Sequence, residues 1–494
     1  VQENLNNMTL EMLLKDIKTK TITGRLDTEI KGLSSDSRSL ASGDLFVAIK
    51  GENVDGHDFI SNAVKRGAAA VVYEDKVKTT PSVPFIQVED TKEALACISN
   101  NFYRRPSESL VLLGVTGTNG KTTTTYLIKS ILEAAGNKVG LIGTINYMIE
   151  DHRFPAPFTT PDAIQFQRLL RQMLDAGCSH VVSEVSSHAL AQKRVDCTVF
   201  KTAVFTNLTR DHLDFHADME DYFKAKARLF ERLLNGRAVI NLDDPYGRRL
   251  CSSLKGDILT YGIESDADFR AYDIKTTAEG VSFMVRHSNG STAGVKSSLL
   301  GTPNVYNILS AIGASFAMGI PWEAINQGIR NLRHVEGRFE KIDLGQDFLC
   351  ILDYAHTEDA LKRLILTARE ITAGRIITVF GCGGQRDRGK RPAMGAVATE
   401  LSDLVFITSD NPRGEDPEAI IKDIETGVKR KNYQVIPDRR QAITEAIMTA
   451  RTSDLVLIAG KGHEDYQEIK GVRHKFSDRE AAADAIKERI QWGH

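Results

Sequence analysis

Residues 110–136 read LVLLGVTGTNGKTTTTYLIKSILEAAG. An apolar run comes first, then a glycine-rich turn, then an amphipathic stretch that stops at Gly136. That order predicts a strand, a loop and a helix. The loop is Gly117-Thr118-Asn119-Gly120-Lys121-Thr122-Thr123. Glycines let such a loop curl until its N–H groups face phosphate oxygens, and the following helix N-terminus adds a favourable dipole. Lys121 is placed to neutralise β- and γ-phosphates, and the Thr122 hydroxyl to ligate Mg²⁺. The strict GxxxxGK[ST] pattern fails at one place, since Val115 stands where its first glycine would be. The plain alternative is a glycine turn between strand and helix.

Outward from this loop, further short apolar runs alternate with helical patterns. KVGLIGT (138–144), HVVSEVSS (180–187), TAVFTNL (202–208) and RAVINL (237–242) read as strands of a mainly parallel sheet, and residues 280–300 as antiparallel strands. A second series begins near GRFEKI (337–342): FLCILDYAHT, RIITVFGCGG, LVFITSDNPR and DLVLIAGKGH, each ending in polar or glycine-rich residues. The helical stretches EDALKRLILTAREI and PEAIIKDIETGVKR separate them. Before residue 107 lie SSDSR (34–38), DLFVAIKGENVDGHDF (44–59), a helical ISNAVKRGA and an apolar AAVVYE. NNFYRRPSES (100–109) reads as a linker. The expected segments are 1–107, 108–336 and 337–494. In open α/β sheets ligands sit beyond the carboxyl ends of the strands, where the unusual polar residues of this chain fall.

The 494 residues suffice for two to four domains of about 100–200 residues each. Charged residues make up 26% and hydrophobic residues 41%, with a formal net charge of −2. This is ordinary globular composition without a basic block, so no nucleic-acid partner is expected. The opening VQENLNNMTLEMLLKDIKTK is polar and lacks a leader's apolar region, and no run approaches a membrane span of about 18 residues. The six cysteines show no CxxC or metal spacing, which fits reduced thiols in a cytosol.

Glu184 interrupts an apolar strand, a costly place for a charge unless it is paired or metal-bound. A solvent-facing edge strand is the alternative. Asp211, His212, Asp214 and His216 crowd into six residues of TNLTRDHLDFHADMEDYFKAKARLF (206–230), either as metal ligands or as a polar loop with a helix cap. In the helix that follows, Tyr222, Lys226, Leu229 and Phe230 share one face, whereas Lys224 and Arg228 are expected as ordinary surface cations. Burial would keep the Lys226 amine neutral and able to take up CO₂ as a carbamate. Read by itself, the segment fits a snorkelling lysine better.

In order, TGTNGKTTT, SEVSSHAL, NLTRDHLDFH with Lys226 downstream, GTPNVYN (301–307), GRFE (337–340) and DYAHT (353–357) resemble the Mur ligase family over about residues 32–480. The resemblance implies three α/β domains: a smaller N-terminal UDP-binding domain, a central P-loop ATPase-like domain with a mainly parallel sheet, and a C-terminal Rossmann-like domain for the incoming amino acid. It implies an ATP-dependent amide ligation in which a substrate carboxylate becomes an acyl phosphate that an amine then attacks. Lys121, Glu184, His212 and carbamylated Lys226 would then carry catalysis. Mg²⁺ would be held by Thr122, Glu184, His212 and Lys226. ATP would meet Gly117 to Thr123, Asn307, Arg338 and Asp353, with His356 a helper in the cleft. Ser37, Thr159, Thr160, Ser186, Gln192 and Arg194 match positions that grip a UDP-muramoyl dipeptide.

GGQRDRGKRP (383–392), SDNPRGE (409–415) and AGKGHED (459–465) bear on the amino acid added. DNPR resembles the signature of the branch that joins meso-diaminopimelate to UDP-N-acetylmuramoyl-L-alanyl-D-glutamate. Arg413 suits the distal carboxylate in bidentate geometry, with Asp410, Asn411 and Pro412 beside it; Arg386 suits the other carboxylate and Glu464 an ammonium, and Gly460 permits close approach. A cytoplasmic monomer with small-molecule substrates is expected, serving peptidoglycan synthesis and through it cell shape and division. L-lysine as substrate, a folylpolyglutamate synthetase-like ligase and a nucleotide-dependent switch are the alternatives. A switch would hydrolyse ATP without either co-substrate.

Overall fold

The computed structural model describes residues 8–51, 54–75, 77 and 82–492. The start of the polar opening segment, through Asn7, and Glu52-Asn53 of DLFVAIKGENVDGHDF lie outside the described residues.

The chain builds three large sheets in succession. The first runs Thr19–Thr23, Phe85–Val88, Ala70–Tyr73, Asp44–Val47, Gly32–Ser34. Its first pairing is antiparallel and the others are parallel. Leu45, Val47, Val72 and Ile86 meet Leu95, Ile98 and Phe102 of helix Thr91–Phe102 in its core.

The second sheet has eleven strands. Its parallel centre runs Ile258–Gly262, Leu234–Asn241, Phe200–Phe205, Val111–Thr116, His180–Glu184, Val139–Ile142. Antiparallel hairpins extend both flanks, Phe269–Thr277 to Ser297 on one side and Asn146–Pro155 on the other. Strand Val111–Thr116 is buried on both faces: Leu113 and Val115 enter one core, Leu112 the other. That double burial explains the unbroken apolar run. Helices Lys121–Ala134 and Thr302–Ala317 cover one face through Leu127, Ile128, Ile308 and Ile312; Ala163–Asp175 and Met219–Arg228 cover the other through Phe166, Leu170 and Tyr222.

The third sheet runs Glu340–Ile342, Leu349–Asp353, Leu455–Ala459, Ile376–Phe380, Leu404–Ile407, Tyr433–Val435, parallel after its first pair. Its parallel centre sends DYAHT, GCGGQRDR, SDNPR and GKGHED out from carboxyl strand ends. This is the parallel-rich α/β architecture expected from the pattern.

Two expectations need correction. Residues 100–102 are not linker but the last turn of helix Thr91–Phe102; Asn101 Nδ2 donates to the carbonyls of Leu13 and Lys15. Polar letters misled there because their partners lie far away in sequence. The six thiols are not all reduced either. Cys97 and Cys197 form a disulfide across a separation of 100 residues, with Cα atoms 5.1 Å apart, and Cys178, Cys251, Cys350 and Cys382 are free. The bridge ties the helix beneath the first sheet to the loop after helix Ser187–Ala191 of the second.

Candidate active site

The phosphate-type loop is shaped by two glycines at positive φ, Gly117 at +148° and Gly120 at +87°. A Cβ on Gly117 would collide with Thr206 Oγ1, and one on Gly120 with Asn307 Oδ1. Asn307 therefore packs directly against the loop. The loop is braced from behind by Thr118 N to Asn207 O (2.8 Å), Asn119 N to Asn207 Oδ1 (3.0 Å) and Thr206 Oγ1 to Asn119 O (2.7 Å). Lys121 Nζ folds back onto the carbonyls of Gly117 and Thr118 at 3.0 and 2.9 Å. Thr122 and Thr123 are buried at the start of the helix.

Lys226 occupies the expected buried stripe with Tyr222, Leu229 and Phe230 and is 1% exposed. Its Nζ donates to Gly117 O at 2.8 Å and sits 4.6 Å from the Tyr222 ring centroid. Burial pushes its pKa well below the usual lysine value, and the Lys121 charge pushes the same way. Lys121 is also lowered by desolvation, against the pull of Glu184 and Asp211. Lys224 is exposed as read. Arg228 is not a plain surface cation, since it pairs with the nearly buried Asp196 at 2.7 Å.

Glu184 is fully buried on a strand between two parallel neighbours, which rules out the edge-strand alternative. Its carboxylate accepts Thr144 N at 2.8 Å and Thr144 Oγ1 at 2.9 Å. The Asp211–His216 cluster divides. His216 is buried, with Nδ1 3.1 Å from Asp221 Oδ2 at the start of the next helix, and Asp214 is exposed. His212, at φ +54°, has Nε2 3.5 Å from Asp211 Oδ2 and its ring edge-on to His188. Desolvation first, then its cationic neighbours, push its pKa down to about 4 against Asp211.

Around Glu184 the structure gathers five further residues named from the sequence. Thr159 Oγ1 meets Thr144 Oγ1 at 3.1 Å; Thr160 Oγ1 donates to Glu184 O at 2.8 Å and accepts Ser186 N at 3.0 Å. Ser186 caps helix Ser187–Ala191. Arg194 spans Thr160 O (2.9 Å) and Gln192 Oε1 (2.6 Å). Ser37 is buried separately, in the loop after Gly32–Ser34.

From the third sheet, Arg338 Nη2 reaches Thr122 Oγ1 at 3.2 Å while its guanidinium lies 4.8 Å from the Tyr354 ring centroid. Asp353 accepts Phe339 N and Ala355 N, each at 2.7 Å, and burial raises its pKa. His356 is exposed, its Nδ1 2.8 Å from Tyr354 O.

The loops at the far ends of this sheet are laced together. Arg413, at φ +53° after Pro412, donates Nη1–H to Gly384 O at 2.7 Å. Asn411 Nδ2 donates to Glu464 Oε2 at 2.8 Å, and Asp410 Oδ1 accepts Asn411 N at 2.6 Å. A Cβ on Gly460 would lie 2.6 Å from Asp410 Oδ2. Arg386 stays on an exposed loop. Two residues were missed. Lys461 is completely buried against Asn411 and Glu464. A lysine directly after the apolar run DLVLIAG is the same signal that singled out Glu184. Arg439 forms a fully buried pair with Asp478 and donates to Ala459 O at 3.0 Å, beneath these loops. Nothing in its local sequence marks it.

Three family models match in chain order: "Mur ligase family, catalytic domain" over residues 29–103, "Mur ligase middle domain" over 115–315, and "Mur ligase, glutamate ligase domain" over 337–462. The chain belongs to the Mur ligase family, enzymes that form amide bonds with ATP. Among its relatives are the UDP-N-acetylmuramoyl-L-alanyl-D-glutamate--2,6-diaminopimelate ligases of Geobacter metallireducens and Bacillus licheniformis. Each is 45% identical over 97% of this chain, with 99% and 100% of their own lengths covered. A solved structure of a ligase of that name superposes with a TM-score of 0.70 at 33% identity, over 98% of this chain and 99% of that one. MurF of Thermotoga maritima in complex with ADP shares the fold at a TM-score of 0.62 and 19% identity, over 94% and 99% of the two chains.

Proposed function

We propose that this protein joins meso-diaminopimelate to UDP-N-acetylmuramoyl-L-alanyl-D-glutamate with ATP, through an acyl phosphate, in cytoplasmic synthesis of the peptidoglycan precursor. The observation that carries the reading is the junction of two loop systems. Arg338 binds Thr122 of the phosphate-type loop, and the same sheet carries the Asp410–Arg413 and Gly460–Glu464 loops beyond it.

In this reading ATP lies along Gly117 to Thr123. Lys121 leaves the Gly117 and Thr118 carbonyls to meet the β- and γ-phosphates. Asn307, Arg338 and Asp353 meet the rest of the nucleotide. Thr159, Thr160, Ser186, Gln192 and Arg194 hold the UDP-dipeptide, with Ser37 reaching its uridine end from the first sheet. Thr122, Glu184 and Lys226, once the desolvated Lys226 amine has taken up CO₂ as a carbamate, would offer the hard oxygen donors that suit Mg²⁺, with the His212 imidazole a softer fourth donor. When bound, Mg²⁺ neutralises charge on the transferring phosphoryl group. Arg413 and Arg386 take the two carboxylates of diaminopimelate and Glu464 an ammonium, which directs the free amine to the acyl carbonyl.

The test is phosphate release with each co-substrate left out in turn, and product formation with diaminopimelate and L-lysine in parallel. The reading requires release only with both co-substrates and preference for diaminopimelate. Release from ATP alone would point to a switch, and equal use of L-lysine would overturn the substrate. ¹³C-bicarbonate NMR reads the carbamate directly.

A further inference from the structure

Lys461 follows the innermost strand end of the third sheet and has no exposed surface. Its Nζ lies 3.1 Å from Glu464 Oε2 and 3.2 Å from Asn411 Oδ1, and 5.4 Å from the Tyr466 ring centroid. An ammonium taken out of water needs such partners to remain charged. Asn411 closes the triangle, giving Nδ2–H to the same Glu464 Oε2 at 2.8 Å, while its Oδ1 also accepts Glu468 N at 2.9 Å. Both bonds to the carboxylate thus fall on Oε2. Among the described residues Oε1 is left as the open acceptor, on a side chain 18% exposed. Being fully covered, Lys461 cannot itself touch a substrate.

We propose that Lys461 is a positioning residue for the amine substrate: its buried ammonium holds Glu464 and Asn411 in one arrangement, so that Glu464 Oε1 faces the substrate's ammonium group. The proposal rests on the reading that these loops hold an amino acid. It adds a residue that acts through Glu464 and sets affinity for the amino acid without entering the chemistry. A fixed carboxylate loses less side-chain freedom on binding than a mobile one, and binding gains from that preorganisation.

The experiment is a double-mutant cycle on the full-length enzyme with Lys461→Met, Glu464→Gln and the pair, with steady-state constants for all three substrates. Lys461→Met should raise KM for diaminopimelate about 10- to 100-fold, with KM for ATP and the UDP-dipeptide within about 2-fold and kcat little changed. In the Glu464→Gln background the same change should cost less than about 3-fold, because the group it positions is already gone. Equal fold-losses in both backgrounds, or a parallel rise in all three KM values, would overturn the proposal and mark Lys461 as structural. If Lys461→Met does not fold by circular dichroism, Lys461→Gln is put through the same cycle with the same criteria. A parent that uses another amino acid overturns the substrate reading alone, and the cycle is then run on that amino acid.

Discussion

Replacing Arg413 with alanine tests the substrate reading most directly. Diaminopimelate and lysine differ by one carboxylate, so selectivity must come from a group that meets it. Arg413 is 22% exposed at its side chain and spends one N–H on Gly384 O; the nearest carboxylate oxygen, on Glu468, stands 3.9 Å away. Among the described residues most of its five donors are therefore uncommitted, and Pro412 stiffens the loop that aims them. A desolvated charge pair is worth about 2–5 kcal/mol on truncation, and this partly exposed site belongs at about 2–3. That predicts a rise in KM for diaminopimelate of about 30- to 150-fold, with KM for ATP and the UDP-dipeptide unchanged. Arg413→Lys keeps the charge but not the planar fork and should fall between the two. Loss of the Gly384 bond costs about 1 kcal/mol of stability, a small shift in Tm. The assay is product formation under varied diaminopimelate, with L-lysine alongside. Parental efficiency in Arg413→Ala would refute the reasoning.

Three other outcomes follow from the geometry. Lys121→Ala should abolish phosphate release while calorimetry still detects UDP-dipeptide binding; near-parental turnover would remove the loop from the phosphate role. Unfolded, unreduced protein should titrate four thiols, and Cys97→Ser should lose at most about 4–5 kcal/mol of stability, the chain-entropy limit for a loop of about 100 residues; six titratable thiols would contradict the bridge. Asp243 is pulled down to about 2 because hydrogen bonds from Ser265, Ile263, Glu264 and Tyr306 outweigh the upward push of burial. A carboxyl lowered in the fold stabilises above its unfolded pKa and loses that stabilisation as pH falls from about 4 toward 2. Asp243→Asn should therefore cost about 1–2 kcal/mol at pH 7, with a gap that narrows below pH 4 in urea titrations; a gap constant with pH would show that the charge is not the cause.

Much of this was legible because strand, loop and helix leave local traces. Gly136 ends the helix as read, and the unbroken run at 110–116 reflects a strand covered on both faces. The 3.6-residue period placed Lys226 on the buried stripe correctly. The same period failed for Arg228, whose partner Asp196 lies 32 residues away. Asn101 and Cys97 failed for the same reason, with partners 86 to 100 residues distant. Strand order is equally hidden: His180–Glu184 lies between strands that precede it in the chain, and no window of sequence records that neighbourhood. Lys461 was readable by the logic applied to Glu184, whereas the Arg439–Asp478 pair was not, because both residues sit in otherwise ordinary helical segments.

A common physical pattern connects the residues of the site. Glu184, Asp353, Asn411 and Lys461 each stand at or just beyond the carboxyl end of a buried strand, where the apolar core gives way to loop. A polar group there is costly unless a neighbouring segment satisfies it. Thr144 does so for Glu184, the amides of Phe339 and Ala355 for Asp353, and Glu464 for both Asn411 and Lys461. Each satisfied group fixes the loop that satisfies it, so burial and positioning are one event. Gly117 O is the exception, since it accepts both Lys121 and Lys226. Burial lowers the pKa of both lysines, and the Lys121 charge lowers that of Lys226 further, so this carbonyl is shared by Lys121 and an amine held toward its neutral form. If the loop takes a phosphate, Lys121 is the group able to swing outward, because Lys226 Nζ still satisfies Gly117 O.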